Sequence, residues 1–184
     1  MEKQLSDSEL FQLINNKDEN AYFQLFRRYS KRLIELSYFL LRKDLPLAEE
    51  VVSDVFFRIW QNPKLSAIDN PKAYLYRAVK NASLNELAKS SRHNYVDIEN
   101  AFHISGTETS ALDDFIQAEE YKELEDILDL LPERRRLVFK LSRIDGLKHK
   151  EISELLEIST RTVEDHISNA LLFLQKIMRQ KSSY

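Results

Sequence analysis

The chain has 184 residues, 43% of them hydrophobic and 31% charged, with a formal net charge of −3 at pH 7. That apolar content excludes whole-chain disorder, and the length suits one or two small domains. Two glycines and four prolines argue against an all-β architecture, whose turns consume those residues, and leave no glycine-rich phosphate loop.

The absence of cysteine removes disulfides, thiol catalysis and cysteine-ligated zinc, and suits a reducing cytoplasm. The opening MEKQLSDSEL carries no apolar signal region, and no apolar run is long enough to cross a membrane, so an intracellular, all-α chain without membrane insertion is expected. Charge is unevenly placed. Residues 1–90 hold 14 basic and 12 acidic side chains and residues 121–184 hold 12 and 11, whereas residues 91–120 set Arg92 against seven acids. Two slightly basic halves separated by an acidic strip allow local nucleic-acid-binding patches that the overall charge conceals.

In chain order, Ser6-Asp7-Ser8-Glu9 is a capping box opening a short helix through Leu10, Phe11, Leu13 and Ile14. A second helix spans about 19–41, with Phe23, Phe26, Leu33, Leu36 and Leu40 as its apolar positions and Arg27, Arg28, Lys31 and Arg32 between them. The third, 46–61, starts at Pro46, buries Leu47, Val51, Val55 and Ile59, and stops at Asn62-Pro63. After a polar loop, 62–70, Asn70 as cap and Pro71 as first helical residue open a fourth helix to about Lys89. Residues 90–111 show no sustained helical period and read as a linker. Stretch 112–131 is amphipathic through Leu112, Phe115, Tyr121, Leu124, Ile127 and Leu128. Pro132 then starts a helix through Leu137, Val138 and Leu141, ended by Asp145-Gly146.

Two further helices, about 148–156 and 160–178, are joined by a tight turn. Ile152, Leu155 and Leu156 form the buried face of the first. Ser159 or Thr160 caps the second, on which Val163, Ile167, Ala170, Leu171 and Leu174 make one stripe and Arg161, Asp165, Ser168, Asn169 and Leu172 lie opposite. In a helix-turn-helix that outward face enters the major groove. Periodicity alone fits an ordinary helical hairpin with a solvated polar face equally well. Glu164 and Asp165 do not favour DNA on charge, although carboxylates accept hydrogen bonds from cytosine amino groups. Arg134, Arg135, Arg136, Lys148 and Lys150 are candidates for phosphate contacts, and equally for plain solvation. The four histidines, His93, His103, His149 and His166, form no metal-ligand spacing, and no catalytic constellation is evident.

From about Glu19 to Gln175 the chain resembles bacterial RNA polymerase sigma factors of the extracytoplasmic-function (ECF) subfamily. The first half carries the resemblance in AYFQLFRRYSKRLIELSYFLL, LAEEVVSDVFFRIW and KAYLYRAVKNASLNEL, the second in LDLLPERRRLVFKLSRIDGLKHKEISELLEISTRTVEDHISNAL. The segment ISTRTVEDHI is also similar to the helix-turn-helix of response-regulator-type transcription factors, but residues 1–90 lack the βα alternation of a receiver domain. The resemblance implies an all-α fold of two small helical domains on a flexible acidic linker, the C-terminal one a helix-turn-helix (winged-helix-like) DNA-binding domain. Residues 1–89 would be region 2, 90–111 the linker and 112–184 region 4.

It also implies a non-enzymatic, cofactor-free initiation factor acting in the cytoplasm. Its partners would be core RNA polymerase (the clamp helices of the largest subunit and the flap of the second-largest), promoter DNA and an anti-sigma factor. Glu50, Asp54, Phe57 and Trp60 would dock on polymerase, with Ser53 where the family usually has Gln. Lys64, Tyr74, Arg77, Lys80 and Asn81 would read the minus-ten element, where a base is flipped out of the non-template strand; Asn85 stands where common members have Asp. Arg161, Glu164, Asp165, Ser168 and Asn169 would read the minus-thirty-five element. Glu157 replaces the usual turn Gly and Ser153 the usual Ala. The linker acids Asp97, Glu99 and Glu108 would lie toward the RNA exit channel.

Overall fold

A computed structural model of the chain describes residues 5–90 and 124–181. The expected linker lies outside them apart from Ser90, as does the amphipathic stretch before residue 124. The chain divides into two compact units, the break falling between Ala101 and Phe102. The described residues form helices and turns, and each unit is taken by itself.

In the first unit, α1 (Asp7–Asn15) begins with the expected capping box: Glu9 N–H donates to Ser6 Oγ at 3.2 Å, and Ser6 N–H to Glu9 Oε2 at 2.7 Å. α2 (Glu19–Leu40) is capped by Asp18, whose Oδ1 accepts from Ala21 N–H at 2.9 Å. Lys43 and Arg42, at φ 76 and 56, turn the chain into α3 (Leu45–Gln61). A single 3-10 turn, Leu65–Ala67, precedes α4 (Pro71–Ser90), whose start is fixed by Asn70 Oδ1 accepting from Ala73 N–H at 3.0 Å. α2 is the central element and packs on α1, α3 and α4.

The buried side of α2 is Ala21, Leu25, Tyr29, Leu33, Leu36 and Ser37. This corrects the expected stripe. Phe23 is 57% exposed because at 100° per residue it falls about 125° from the centre of that side; Phe26 at its margin and Leu40 at the end of the helix are half-buried. On α3, Val51, Val55 and Ile59 are buried as expected, together with Ala48, Val52 and Phe56, while Leu47 is half-buried against the Leu41–Ala48–Val51 cluster. Each Leu, Ile or Phe removed from water in this core contributes about 1.5–3 kcal/mol. Polar ties add direction. Asp7 accepts from Arg28 Nη1 at 2.6 Å and from the Tyr29 hydroxyl, and Arg28 Nη2 donates to the Leu5 carbonyl at 2.8 Å, fastening α1 along α2.

In the second unit, α5 is described over residues 124–129 and is followed by α6 (Glu133–Arg143), α7 (His149–Leu156) and α8 (Thr160–Lys181). Lys140 Nζ donates to Glu125 Oε2 at 2.8 Å, and Arg136 pairs with Asp129, so two ion pairs join α6 to α5. Leu137, Val138 and Leu141 are buried as expected, and Gly146 (φ 69) turns the chain out of α6. Leu128, Leu131, Phe139 and Ala170 form a core under Ile144, Phe173 and Leu174. Leu171, expected on the buried stripe of α8, is 38% exposed, because it lies about 80° round the helix from Val163 while Ile167, Ala170 and Leu174 stay within about 40°.

Candidate nucleic-acid interface

The pair α7–α8 has helix-turn-helix geometry built from local signals. α7 ends at Glu157, which takes the left-handed conformation at φ 54, ψ 46. A residue with a Cβ pays a modest steric penalty there that glycine would not. Ser159 then caps α8: its Oγ accepts from Thr162 N–H at 3.0 Å and lies 2.8 Å from the Thr162 hydroxyl. Val163, Ile167 and Ala170 are 0–3% exposed and Ile152, Leu155 and Leu156 of α7 are buried too, while Arg161, Glu164, Asp165, Ser168 and Asn169 all face solvent. The candidate reading face is therefore one continuous polar strip, ending at Leu172, 64% exposed.

Its electrostatic setting is mixed. Glu164 Oε1 lies 3.7 Å from His149 Nδ1, the first residue of α7, a link across the turn that the sequence did not suggest. Lys148, Lys150 and Arg134 are exposed at the edges; Arg135 is half-buried, its Nε enclosed without a partner among the described residues. Arg136 is turned toward α5 by Asp129. Burial, followed by the positive charges of Arg134 and Arg135, lowers the pKa of His166 from its ordinary 6.5, with Asp165 opposing.

In the first unit the candidates fall on two neighbouring surfaces. Glu50, Asp54 and Phe57 are exposed along one side of α3, with Phe57 at 57%. Trp60 is half-buried, its ring 5.3 Å from Tyr22 and 5.1 Å below the Lys17 ammonium. Exposed Phe23 joins this cluster through Tyr22, 5.9 Å away. Counting apolar positions along the second helix puts it in the core. The spacing of Ala21, Leu25, Tyr29 and Leu33, every fourth residue, carried the signal that would have placed it outside.

Loop 62–70 and α4 form the second surface. Lys64 is exposed, and its N–H donates to Asn62 Oδ1 at 2.9 Å. Arg77 and Asn81 are exposed and Lys80 is half-buried. Tyr74, on the Arg77–Asn81 side of the helix, is half-buried with its ring edge-on to Phe11 at 6.2 Å and 88°. Exposed basic and amide groups beside a partly withdrawn aromatic ring are the types that hold an unstacked base and its phosphates. Among the described residues no cluster of His, Asp and Glu is arranged to hold a metal, and no helix is long and apolar enough to cross a membrane.

Comparison with known proteins agrees with this division. The family model for Sigma-70 region 2 matches residues 25–93, and that for Sigma-70 region 4 matches residues 121–174. The ECF RNA polymerase sigma-E factor of Escherichia coli (strain K12) is 26% identical over 183 residues, covering 92% of this chain and 93% of that protein. The ferric citrate uptake sigma factor FecI of the same strain is 26% identical over 125 residues, covering 67% of this chain and 72% of its own. Among solved structures, that of CnrH in complex with the cytosolic domain of CnrY covers 95% of this chain and 97% of its own at 20% identity, with a TM-score of 0.46. Two regions of one family stand in their proper order, and a relative aligns along nine-tenths of the sequence: the chain belongs to the ECF subfamily of the sigma-70 family, and its function is promoter-specific initiation of transcription by RNA polymerase.

Proposed function

We propose that the two units divide the promoter between them. Residues 1–89 act as region 2, docking on the clamp helices of the largest polymerase subunit and reading the minus-ten element. Residues 112–184 act as region 4, reaching the flap and reading the minus-thirty-five element, and residues 90–111 tether the two. Glu50, Asp54 and Phe57 supply charge for register and an aromatic anchor on polymerase, and Trp60 stiffens that edge. Lys64, Tyr74, Arg77, Lys80 and Asn81 capture the extruded base. Arg161, Glu164, Asp165, Ser168 and Asn169 meet base edges, while Arg134, Arg135, Lys148 and Lys150 contact phosphates. Arg136, paired with Asp129, is the weakest member of that last group.

The observation that carries this reading is the clean partition of α8. Val163, Ile167 and Ala170 on its apolar stripe are 0–3% exposed, and every candidate base-reading residue lies outside that stripe. The factor does no chemistry of its own: melting draws on the free energy of binding unstacked bases. It works in the cytoplasm, and an anti-sigma factor restrains it by covering one of these faces.

Holoenzyme transcription from a promoter scrambled in one element at a time tests the assignment. Asn81→Ala should weaken use of the intact promoter and lose most of its sensitivity to the minus-ten scramble. Arg161→Ala should do the same for the minus-thirty-five scramble alone. If each variant responds to both scrambles as the wild type does, the assignment is wrong.

A further inference from the structure

α1 lies outside every promoter- and polymerase-contacting surface assigned above, yet with the turn that follows it α1 meets loop 62–70 at its entrance, middle and exit. At the entrance, Lys17, in the left-handed conformation at φ 65, donates its ammonium to the Trp60 carbonyl and stands 5.1 Å over the Trp60 ring. That carbonyl lies in the last turn of α3, two residues before the loop begins. In the middle, α1 packs against the 3-10 turn whose Leu65 is 0% exposed. At the exit, Phe11, itself 1% exposed, sets its ring against Tyr74 in the first turn of α4. Within the loop, Lys64 N–H donates to Asn62 Oδ1, two amides close the 3-10 turn, and Asn70 caps α4. α1 and its following turn add a support at each of these three points.

We propose that α1 is the positioning element of the minus-ten reader, with Lys17 fixing where the loop leaves α3 and Phe11 fixing the face of Tyr74 on which the extruded base lies. The inference rests on the minus-ten reading given above. An extruded base rewards only a pocket that is already formed, and supports that are left loose weaken capture even when every contacting residue is present. The ring partner of Phe11 is Tyr74, whereas Lys17 holds Trp60, at the edge of the polymerase-docking face of α3. Phe11 therefore bears on base capture apart from the polymerase-docking face, and Lys17 links the loop to the edge of that face.

The test uses full-length holoenzyme on a fork-junction DNA from a promoter it transcribes, with 2-aminopurine at the extruded position. Phe11→Leu keeps an apolar core residue but removes the ring edge. Lys17→Met keeps the stem but removes the cation on an exposed residue whose loss does not threaten folding. Each should lower equilibrium base capture by roughly three- to tenfold, the scale of one lost aromatic or cation–π contact, and Phe11→Leu should keep affinity for core polymerase within about twofold of wild type. Lys17→Arg should restore capture.

Wild-type capture in both variants, with Asn81→Ala defective, overturns the positioning role and leaves the minus-ten reading standing. Undiminished capture in Asn81→Ala overturns that reading itself. Parallel loss of capture, polymerase affinity and melting temperature would show a merely structural role and equally overturn the proposal.

Discussion

Ser37 and Ser83 are both 0% exposed, their hydroxyl oxygens 2.9 Å apart where α2 packs on α4. Changing either serine alone to alanine leaves the other hydroxyl buried without this partner, at a cost of about 1–3 kcal/mol. For a domain of this size that lowers Tm by roughly 4–8 °C per kcal/mol. Changing both removes donor and acceptor together, and replacing a satisfied polar pair by apolar groups of similar shape is nearly neutral. The double variant should thus be as stable as the more stable single variant or more so, with a coupling energy of about 1–2 kcal/mol. Trp60 is the only tryptophan in the chain and lies in the first unit, so denaturant unfolding followed by its fluorescence reads that unit without interference from the other. Strictly additive losses in the double variant would refute the reasoning, because they would mean that each hydroxyl is satisfied independently of the other.

Three further expectations can be checked on the same protein. Glu157→Gly relieves a left-handed residue at the end of α7 and should stabilise the second unit by about 0.5–1 kcal/mol, seen as a higher denaturant midpoint by circular dichroism. Burial, then the hydrogen bond to Asp7 and the Asp7 charge, push the Tyr29 hydroxyl well above its ordinary 10.0, with Arg28 and Arg32 opposing. Stability from that group is full below pH 10 and is lost as pH rises, at up to about 1.4 kcal/mol per unit; Tyr29→Phe should flatten the alkaline limb of the first unit's stability profile. His166 has the opposite sense. Its folded pKa lies below 6.5, so its contribution is full above pH 6.5 and is lost as pH falls through the lower folded value, and His166→Gln should flatten the acid limb of the second unit.

Local signals made much of this molecule legible. The Ser6–Glu9 capping box, Asn70 before Pro71, and the 163–167–170 stripe each specify a helix end or face through neighbours in sequence, and each stands where the residues placed it. Misplaced Phe23 shows the limit of apolar counting. α2 has apolar residues on more than one side, and the partners α1, α3 and α4 decide which side is inside. Tyr29, Ser37 and Ser83 read as surface types, yet they are buried because each has a hydrogen-bond partner in another helix. The contacts that build the candidate minus-ten surface, Phe11 with Tyr74 and Lys17 with Trp60, join residues more than forty positions apart. No periodicity or capping rule reports such pairs. The polar faces were nameable in sequence only through the family's motifs, since composition alone describes a solvated surface equally well.

The most direct test of the central claim is transcription in vitro. Purified protein is added to bacterial core RNA polymerase with a pool of genomic promoter fragments, and transcript 5′ ends are mapped. The account predicts discrete starts that depend on this protein, share two short upstream elements, weaken with Asn81→Ala and disappear on deletion from Glu133 onward. No protein-dependent starts, together with no comigration with core polymerase on sizing, would contradict it.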